Sequence, residues 1–302
     1  MAISPLSTKI SFFPGITHKI SLFGFRISVQ PQLMRNHLNI HIERKLFCYP
    51  LRLAFNVKVR FLGTNGWYST HFGNTSCVLI ESEGFYVVLD AGDGIYKLDK
   101  YISTEKPIHL FLSHLHFDHI MGFHLFDKFK FKRKMDVYGF KGVKAGLQIF
   151  EHPYTLPLSN LSFPVEIHEL EEGSYSLPFP FSCKRLFHSD PCLGYRFRLD
   201  DRVIAYCTDT GVCDSLGELA RDADLLITES SLKPGQRLEG WGHLDPREAA
   251  EIAKQAEVKQ LLLTHFDAGN YLSLDERREA ETAAKEIFKN TICAYDDFEI
   301  EL

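Results

Sequence analysis

An α+β chain folded as a four-layer αββα sandwich is the architecture this sequence predicts, and three observations predict it. Twelve short β-rich runs alternate with only six helical patterns, a proportion that fills two sheets with helices outside rather than one sheet. With 302 residues, 45% of them hydrophobic, the chain is long enough for a large core. The turns Gly63-Thr64-Asn65-Gly66 and Gly92-Asp93-Gly94 lack the G-x-G-x-x-G spacing that a doubly wound dinucleotide fold requires.

Taken in order, residues 1–56 keep no period and are broken by Pro5, Pro14, Gly15, Gly24, Pro31 and Pro50. They hold seven Lys/Arg against the single acid Glu43, a local +6 that leaves −11 for residues 57–302. Three readings of this basic N-terminal extension stay open: a transit peptide, a mis-assigned start with Met34 as the true one, or a lineage-specific tail. From Val57 to the end a single catalytic domain is expected. Its strands are predicted at 57–62, 77–81, 85–90, 108–112, 135–139, 164–169, 183–187, 193–199, 203–207, 224–228, 260–264 and 292–300. Helical periods fall near 94–102, 119–130, 141–151, 215–222, 246–257 and 275–289. The segment 246–257 is the plainest: Asp245 stands as N-cap, Pro246 at the first helical position, and Glu248 completes a capping box.

An acidic body argues against broad affinity for nucleic acid or an anionic membrane. No run of about 18 apolar residues is present to cross a bilayer. Seven scattered cysteines, never spaced C-x-x-C, suggest neither a disulfide framework nor a thiolate zinc site, and a reducing compartment fits them best.

The 14 histidines carry the main message. Ser113-His114-Leu115-His116-Phe117-Asp118-His119 follows the apolar strand 108–112 and places three imidazoles and a carboxylate in six positions. Each divalent ion needs about three protein ligands, so further donors must come from elsewhere. His188, Asp209 and His265 each follow a hydrophobic strand, where a scaffold would hold them rigidly. Singly, each is explained as a structural His or a turn Asp. Together with 114–119 they make five imidazoles and two carboxylates, which suits two metals sharing one carboxylate.

The H-x-H-x-D-H pattern at 114–119 resembles the signature of the metallo-β-lactamase superfamily, a likeness that covers about residues 57–302 and includes Asp90-Ala91-Gly92. It implies the metallo-β-lactamase sandwich and two Zn2+, with Mn2+ or Fe2+ as substitutes. By that resemblance His114, His116 and His188 hold one ion, Asp118, His119 and His265 the other, and Asp209 bridges them. Asp90 either orients a ligand or caps backbone amides of its turn.

The branch is read between Asp209 and His265. Thr228-Glu229-Ser230 and Gly242-His243-Leu244-Asp245-Pro246, followed by Leu263-Thr264-His265, resemble ribonuclease Z and related phosphodiesterases, whereas glyoxalase-like and lactonase-like members have no expected counterpart of His243. In this reading the catalytic residues are Asp118, which orients or deprotonates water, and His243, aligned by Glu229, which contacts the phosphate or protonates the leaving oxygen. The alternative is a surface His and a solvated acid.

Two departures stand out. Only Arg196–Arg202 join two strands where ribonuclease Z carries its tRNA-gripping arm, and Phe266-Asp267-Ala268-Gly269-Asn270-Tyr271 replaces a segment with Ser and Arg. The expected substrate is therefore a small or cyclic phosphodiester or an RNA 3′ end, with tRNA left open. A thioester or lactone hydrolase of the same fold and a non-catalytic metal-binding or RNA-binding adaptor are the alternatives. Lys128-Phe129-Lys130-Phe131-Lys132-Arg133-Lys134 reads as a single-strand binder or, preferably, as a basic helix end with Phe129 facing the core. A cytoplasmic location is expected, or an organellar one if residues 1–56 are a transit peptide. No membrane partner is expected, and a homodimer is left open.

Overall fold

The computed structural model describes residues 56–302 apart from Thr104, Leu177 and Glu239, together with the backbone of an antiparallel hairpin, Lys19–Leu22 with Phe25–Ser28. The remainder of the basic extension lies outside the described residues.

Valine, isoleucine and leucine runs become strands buried on both faces, as the near-absence of polar alternation requires. Cys77–Glu81, Tyr86–Leu89 and Ile108–Phe111 are of this kind. Two seven-stranded sheets result. The first runs in the order Glu299–Glu301, Lys58–Gly63, Cys77–Glu81, Tyr86–Leu89, Ile108–Phe111, Met135–Phe140 and Val165–Leu170, antiparallel up to Tyr86–Leu89 and parallel beyond it. The second repeats the design with Gly173–Tyr175, Phe181–Arg185, Leu193–Leu199 and Arg202–Cys207 antiparallel, then Leu225–Glu229, Leu261–Thr264 and Thr291–Cys293 parallel.

Three separate apolar cores show the layering. One, containing Phe61, Phe111, Tyr195 and Phe197, fills the space between the sheets. The others pack each sheet against its own helices, through Phe123 and Phe126 on one side and Leu216, Ala249 and Ala253 on the other. Four layers follow, as expected from the sequence. In the helix Pro246–Gln255, Asp245 accepts from the Arg247 and Glu248 amides while Glu248 reaches back to the Asp245 amide.

Several expectations are corrected. The strand read at 292–300 is two strands in different sheets, Thr291–Cys293 and Glu299–Glu301. Between them Asp296 accepts from Thr64 Oγ1 at 2.8 Å and from the Asn74 amide at 3.0 Å, and these bonds draw the backbone out of either ladder. The run placed at 183–187 is Phe181–Arg185. The helices at 94–102, 119–130 and 141–151 are single α-turns joined to 3-10 segments. Within one, Phe123 and Phe126 are both buried, at the spacing of three that aligns side chains on one face of a 3-10 helix, and the extended Phe129 that follows the helix is buried as well.

Leu193–Leu199 and Arg202–Cys207 are joined by Asp200 and Asp201 alone, both at positive φ (46° and 66°), the geometry of a tight I′-type hairpin. No arm projects there. The basic run combines core contact with surface pairing. Phe129 is buried with Phe131 stacked 5.1 Å away, Lys128 pairs with Asp99, Lys132 with Glu105, and Lys134 with Asp136 and Glu166. Each of the six described cysteines is a free thiol.

Candidate metal centre

Four of the sequence-predicted donors come from the first sheet and three from the second, all beyond strand ends. His114, His116, Asp118 and His119 lie on the turn after Ile108–Phe111, while His188, Asp209 and His265 follow Phe181–Arg185, Arg202–Cys207 and Leu261–Thr264. Asp90, Asp209 and His265 share a local device: each is a non-glycine residue with positive φ (57°, 55° and 51°). The left-handed step swings the chain out of its sheet and aims the side chain across the sandwich end, at about 1–3 kcal/mol of strain for each residue.

The structure brings the seven donors together in two groups. Ligand atoms of His114, His116, His188 and Asp209 form one, and those of Asp118, His119 and His265 the other, each within 4.8 Å. Asp209 faces both. Its Oδ2 lies 3.5 Å from His114 Nε2 and 3.9 Å from His188 Nε2, while its Oδ1 lies 3.4 Å from His119 Nε2 and 3.1 Å from His265 Nε2. Asp118 Oδ2 stands 3.2 Å from His265 Nε2 and 3.6 Å from His119 Nε2.

Neighbouring groups dictate which imidazole nitrogens carry lone pairs. Asp90 is fully buried and accepts from the Ser113 amide (2.7 Å), Tyr206 OH (2.6 Å) and His119 Nδ1 (2.9 Å). Ser113 Oγ donates to the same carboxylate, so toward His114 Nδ1, 3.0 Å away, it is an acceptor. Ser231 Oγ donates to the His265 carbonyl and accepts from its Nδ1 at 3.1 Å, and the Gly242 carbonyl accepts from His188 Nδ1 at 3.4 Å. With every Nδ1 of these four rings a donor, every Nε2 lone pair points inward.

His119 Nε2 and His265 Nε2 then stand 3.0 Å apart and, when neither carries a proton, meet lone pair to lone pair, while His114 Nε2 is buried with no hydrogen-bond partner. Both features are repulsive or costly in a protein-only site and natural around a cation, whose tetrahedral ligand edges measure about 3.3 Å for bonds of about 2.0–2.1 Å. The residues therefore fit divalent-cation binding, with one carboxylate oxygen of Asp209 facing each group of donors. Burial opposes a proton on His119 and His265, but the Asp209 and Asp118 carboxylates outweigh it and raise both groups. His114, where burial prevails, is held well below the ordinary range. Cation binding would displace the protons that this carboxylate field attracts.

Beside the donors stands a second pair. His243 Nδ1 lies 2.9 Å from Oε1 of Glu229, which is completely buried and also accepts from the Thr210 amide at 2.6 Å and the Ser231 amide at 3.2 Å. Burial lowers the His243 imidazole, but the Glu229 charge and hydrogen bond outweigh it and bring the group to about 9. Its ring lies 5.2 Å from that of His188 and 6.4 Å from that of His265. Glu229 is thus a buried anchor rather than a solvated acid. Gly242, at φ 71°, permits the approach: a Cβ there would lie 2.2 Å from the Phe187 carbonyl oxygen.

Sequence reasoning missed Ser231, Tyr206 and the Gly242 carbonyl as orienting groups, because nothing in their spacing marks them. It also missed the two-stranded parallel pairing of Asn65–Gly66 with Phe266–Asp267, which lays the first loop beside His265. A cleft of about 890 Å³ opens over the donors, lined by His116, Asp118, Asp209, His243 and His265 together with Trp67.

Residues 86–266 match the family model described as a beta-lactamase superfamily domain. A ribonuclease Z from Bacillus thuringiensis is 29% identical across 78% of this chain and 96% of its own length. Among solved structures, the metallo-β-lactamase fold protein YhfI from Bacillus subtilis superposes with a TM-score of 0.70 at 24% identity, covering 82% of this chain and 100% of that one. Human tRNase Z, short form, gives a TM-score of 0.64 at 27% identity, covering 80% of this chain and 98% of that one.

Proposed function

Because the chain belongs to the β-lactamase superfamily and is a hydrolase of the metallo-β-lactamase fold, we propose that it is a ribonuclease Z-like phosphodiesterase that cleaves small or cyclic phosphodiesters or RNA 3′ ends with two zinc ions. His114, His116 and His188 would hold one ion, Asp118, His119 and His265 the other, and Asp209 both. Such ions supply positive charge to phosphate oxygens and acidify water. Asp118 orients the water that attacks phosphorus. Asp90 and Ser231 fix the ring tautomers on which the donor set depends.

The observation that carries the phosphodiester reading is the His243–Glu229 pair. An imidazolium held by a fully buried carboxylate is a proton donor for a departing alkoxide and a hydrogen-bond donor to a phosphate oxygen. A thioester needs no proton on its departing thiolate, and neither it nor a lactone presents a phosphate oxygen to be held. The tight Asp200-Asp201 hairpin supports a small substrate over whole tRNA, since no projecting element stands where that grip is expected.

Purified protein assayed side by side on a cyclic nucleotide, a linear phosphodiester, a pre-tRNA, a thioester and a lactone, with metal content measured on the same sample, tests this reading. Phosphodiester turnover that a chelator abolishes and Zn2+ restores is expected. Turnover confined to the thioester or lactone would overturn it.

A further inference from the structure

The chain contains only two tryptophans, and both stand on the rim of the cleft above the donor cluster. Trp67 is 68% exposed and Trp241 53% exposed, and Phe117, 62% exposed, lies on the same rim. Large aromatic faces left in water around one opening are costly unless something covers them.

Trp67 is held in place rather than loosely displayed. Its φ is 71°, a conformation that a bulky side chain adopts only when surrounding structure imposes it. Its amide donates to Asp118 Oδ2 at 2.7 Å, its ring meets the edge of Tyr68 at 5.0 Å, and the preceding Gly66 is pinned by pairing with Asp267. A Cβ on Gly66 would lie 2.5 Å from the His265 ring, so the loop is seated directly against the cluster. The backbone that carries the indole is therefore anchored beside the donor cluster.

Charge narrows the ligand. Among the described residues, no lysine or arginine lines the cleft, so a long phosphate backbone finds no cationic track there. Amide side chains do line it, Gln236 and Asn270. An aromatic rim, an amide-bearing wall and a floor for one phosphate match a planar heterocycle joined through a sugar to a single phosphodiester.

We propose that Trp67 and Trp241 form a stacking clamp for a nucleobase, which makes a nucleoside phosphodiester the substrate class of this cleft. The inference rests on the phosphodiesterase reading for its chemistry, but the clamp is detectable without turnover. Base–aromatic stacking is sequence-tolerant, so any base qualifies.

Two p-nitrophenyl phosphodiesters with the same leaving group, one a thymidine 5′-ester and the other a methyl ester, test it on the metal-loaded protein. The nucleoside ester is expected to be favoured by about 10- to 100-fold in kcat/KM, mainly through KM. That ratio should fall toward one in Trp67→Ala/Trp241→Ala and remain partly intact in the corresponding Phe variant. Because both indoles lie on the rim, adenosine 5′-monophosphate should quench tryptophan fluorescence saturably, and ribose 5-phosphate should not. Equal turnover of the two esters, a preference that survives the double Ala variant, or a preference for long acyl thioesters would each overturn the clamp. Saturable quenching by the nucleotide with neither ester cleaved would retain the clamp and overturn the phosphodiesterase reading instead.

Discussion

Replacing His243 with alanine separates proton donation from mere phosphate contact, and the structure sets the size of the effect. Glu229 loses its imidazole but keeps the Thr210 and Ser231 amides at 2.6 and 3.2 Å, so the buried carboxylate remains solvated by the fold and the chain should fold. His243 is not among the seven donors, so bound metal should be unchanged. A positioned general acid contributes about 10²- to 10⁴-fold, or about 3–5 kcal/mol, when the leaving group is a poor one such as a ribose hydroxyl. A p-nitrophenolate departs as an anion, and on that ester the variant should lose less than about tenfold. The assay is therefore the wild-type to variant ratio of kcat/KM on a dinucleotide and on a p-nitrophenyl ester, with metal content determined in parallel. Equal losses on the two substrates would refute proton donation and leave phosphate binding. Unchanged rates on both would remove His243 from the reaction altogether.

Asp90→Asn should weaken metal affinity about 10- to 100-fold, because all its partners are donors and an amide nitrogen must face at least one of them; chelator competition measures this, and unaltered affinity would confine Asp90 to a structural role. Asp200→Asn with Asp201→Gly should stabilise the protein by about 1 kcal/mol, since both positions have positive φ, and scanning calorimetry should show a Tm rise of about 2–4 °C. Asp200 Oδ2 accepts from the Glu83 amide at 2.7 Å, a bond that the Asn carbonyl can keep, and a lowered Tm would contradict the argument. His109 is 4% exposed with neither ring nitrogen hydrogen-bonded, and burial brings it down to about 4 despite the nearby Asp136. The unfolded chain therefore takes up its proton first as pH falls, so stability is complete above about 6.5 and declines toward pH 4 by about 3 kcal/mol. In His109→Phe the denaturant midpoint should lose most of that pH dependence; an unchanged slope would assign it to other groups.

What the sequence made legible follows physical range. Strands buried on both faces announce themselves as apolar runs, and the capping box at Asp245 is a local covalent pattern, so both could be read directly. The candidate donors stood out as a cluster at 114–119 and as single residues just beyond other predicted strands. The division of residues 292–300 between two sheets was hidden, since bonds from Asp296 to Thr64 and Asn74 span more than two hundred positions. Likewise the helix at 119–130 concealed its 3-10 character in plain view: the spacing of Phe123 and Phe126 by three was the local signal. The roles of Tyr206 and Ser231 depend on which sheets face one another, and no local pattern carries that.

The donors explain why the strained positions persist. Asp90, Asp209 and His265 are held in left-handed backbone at the ends of strands belonging to both sheets, and their neighbours press imidazole lone pairs toward one another. Each cost is local, and without a cation only protons drawn in by the carboxylates ease the crowding of the imidazoles. Divalent cations bound there would replace the crowding of imidazole lone pairs with coordination and so offset the backbone cost. The strain therefore lies where folding and metal binding act on the same atoms. For that reason the orienting groups, Asp90 above all, matter as much to the site as the residues that would touch the ions.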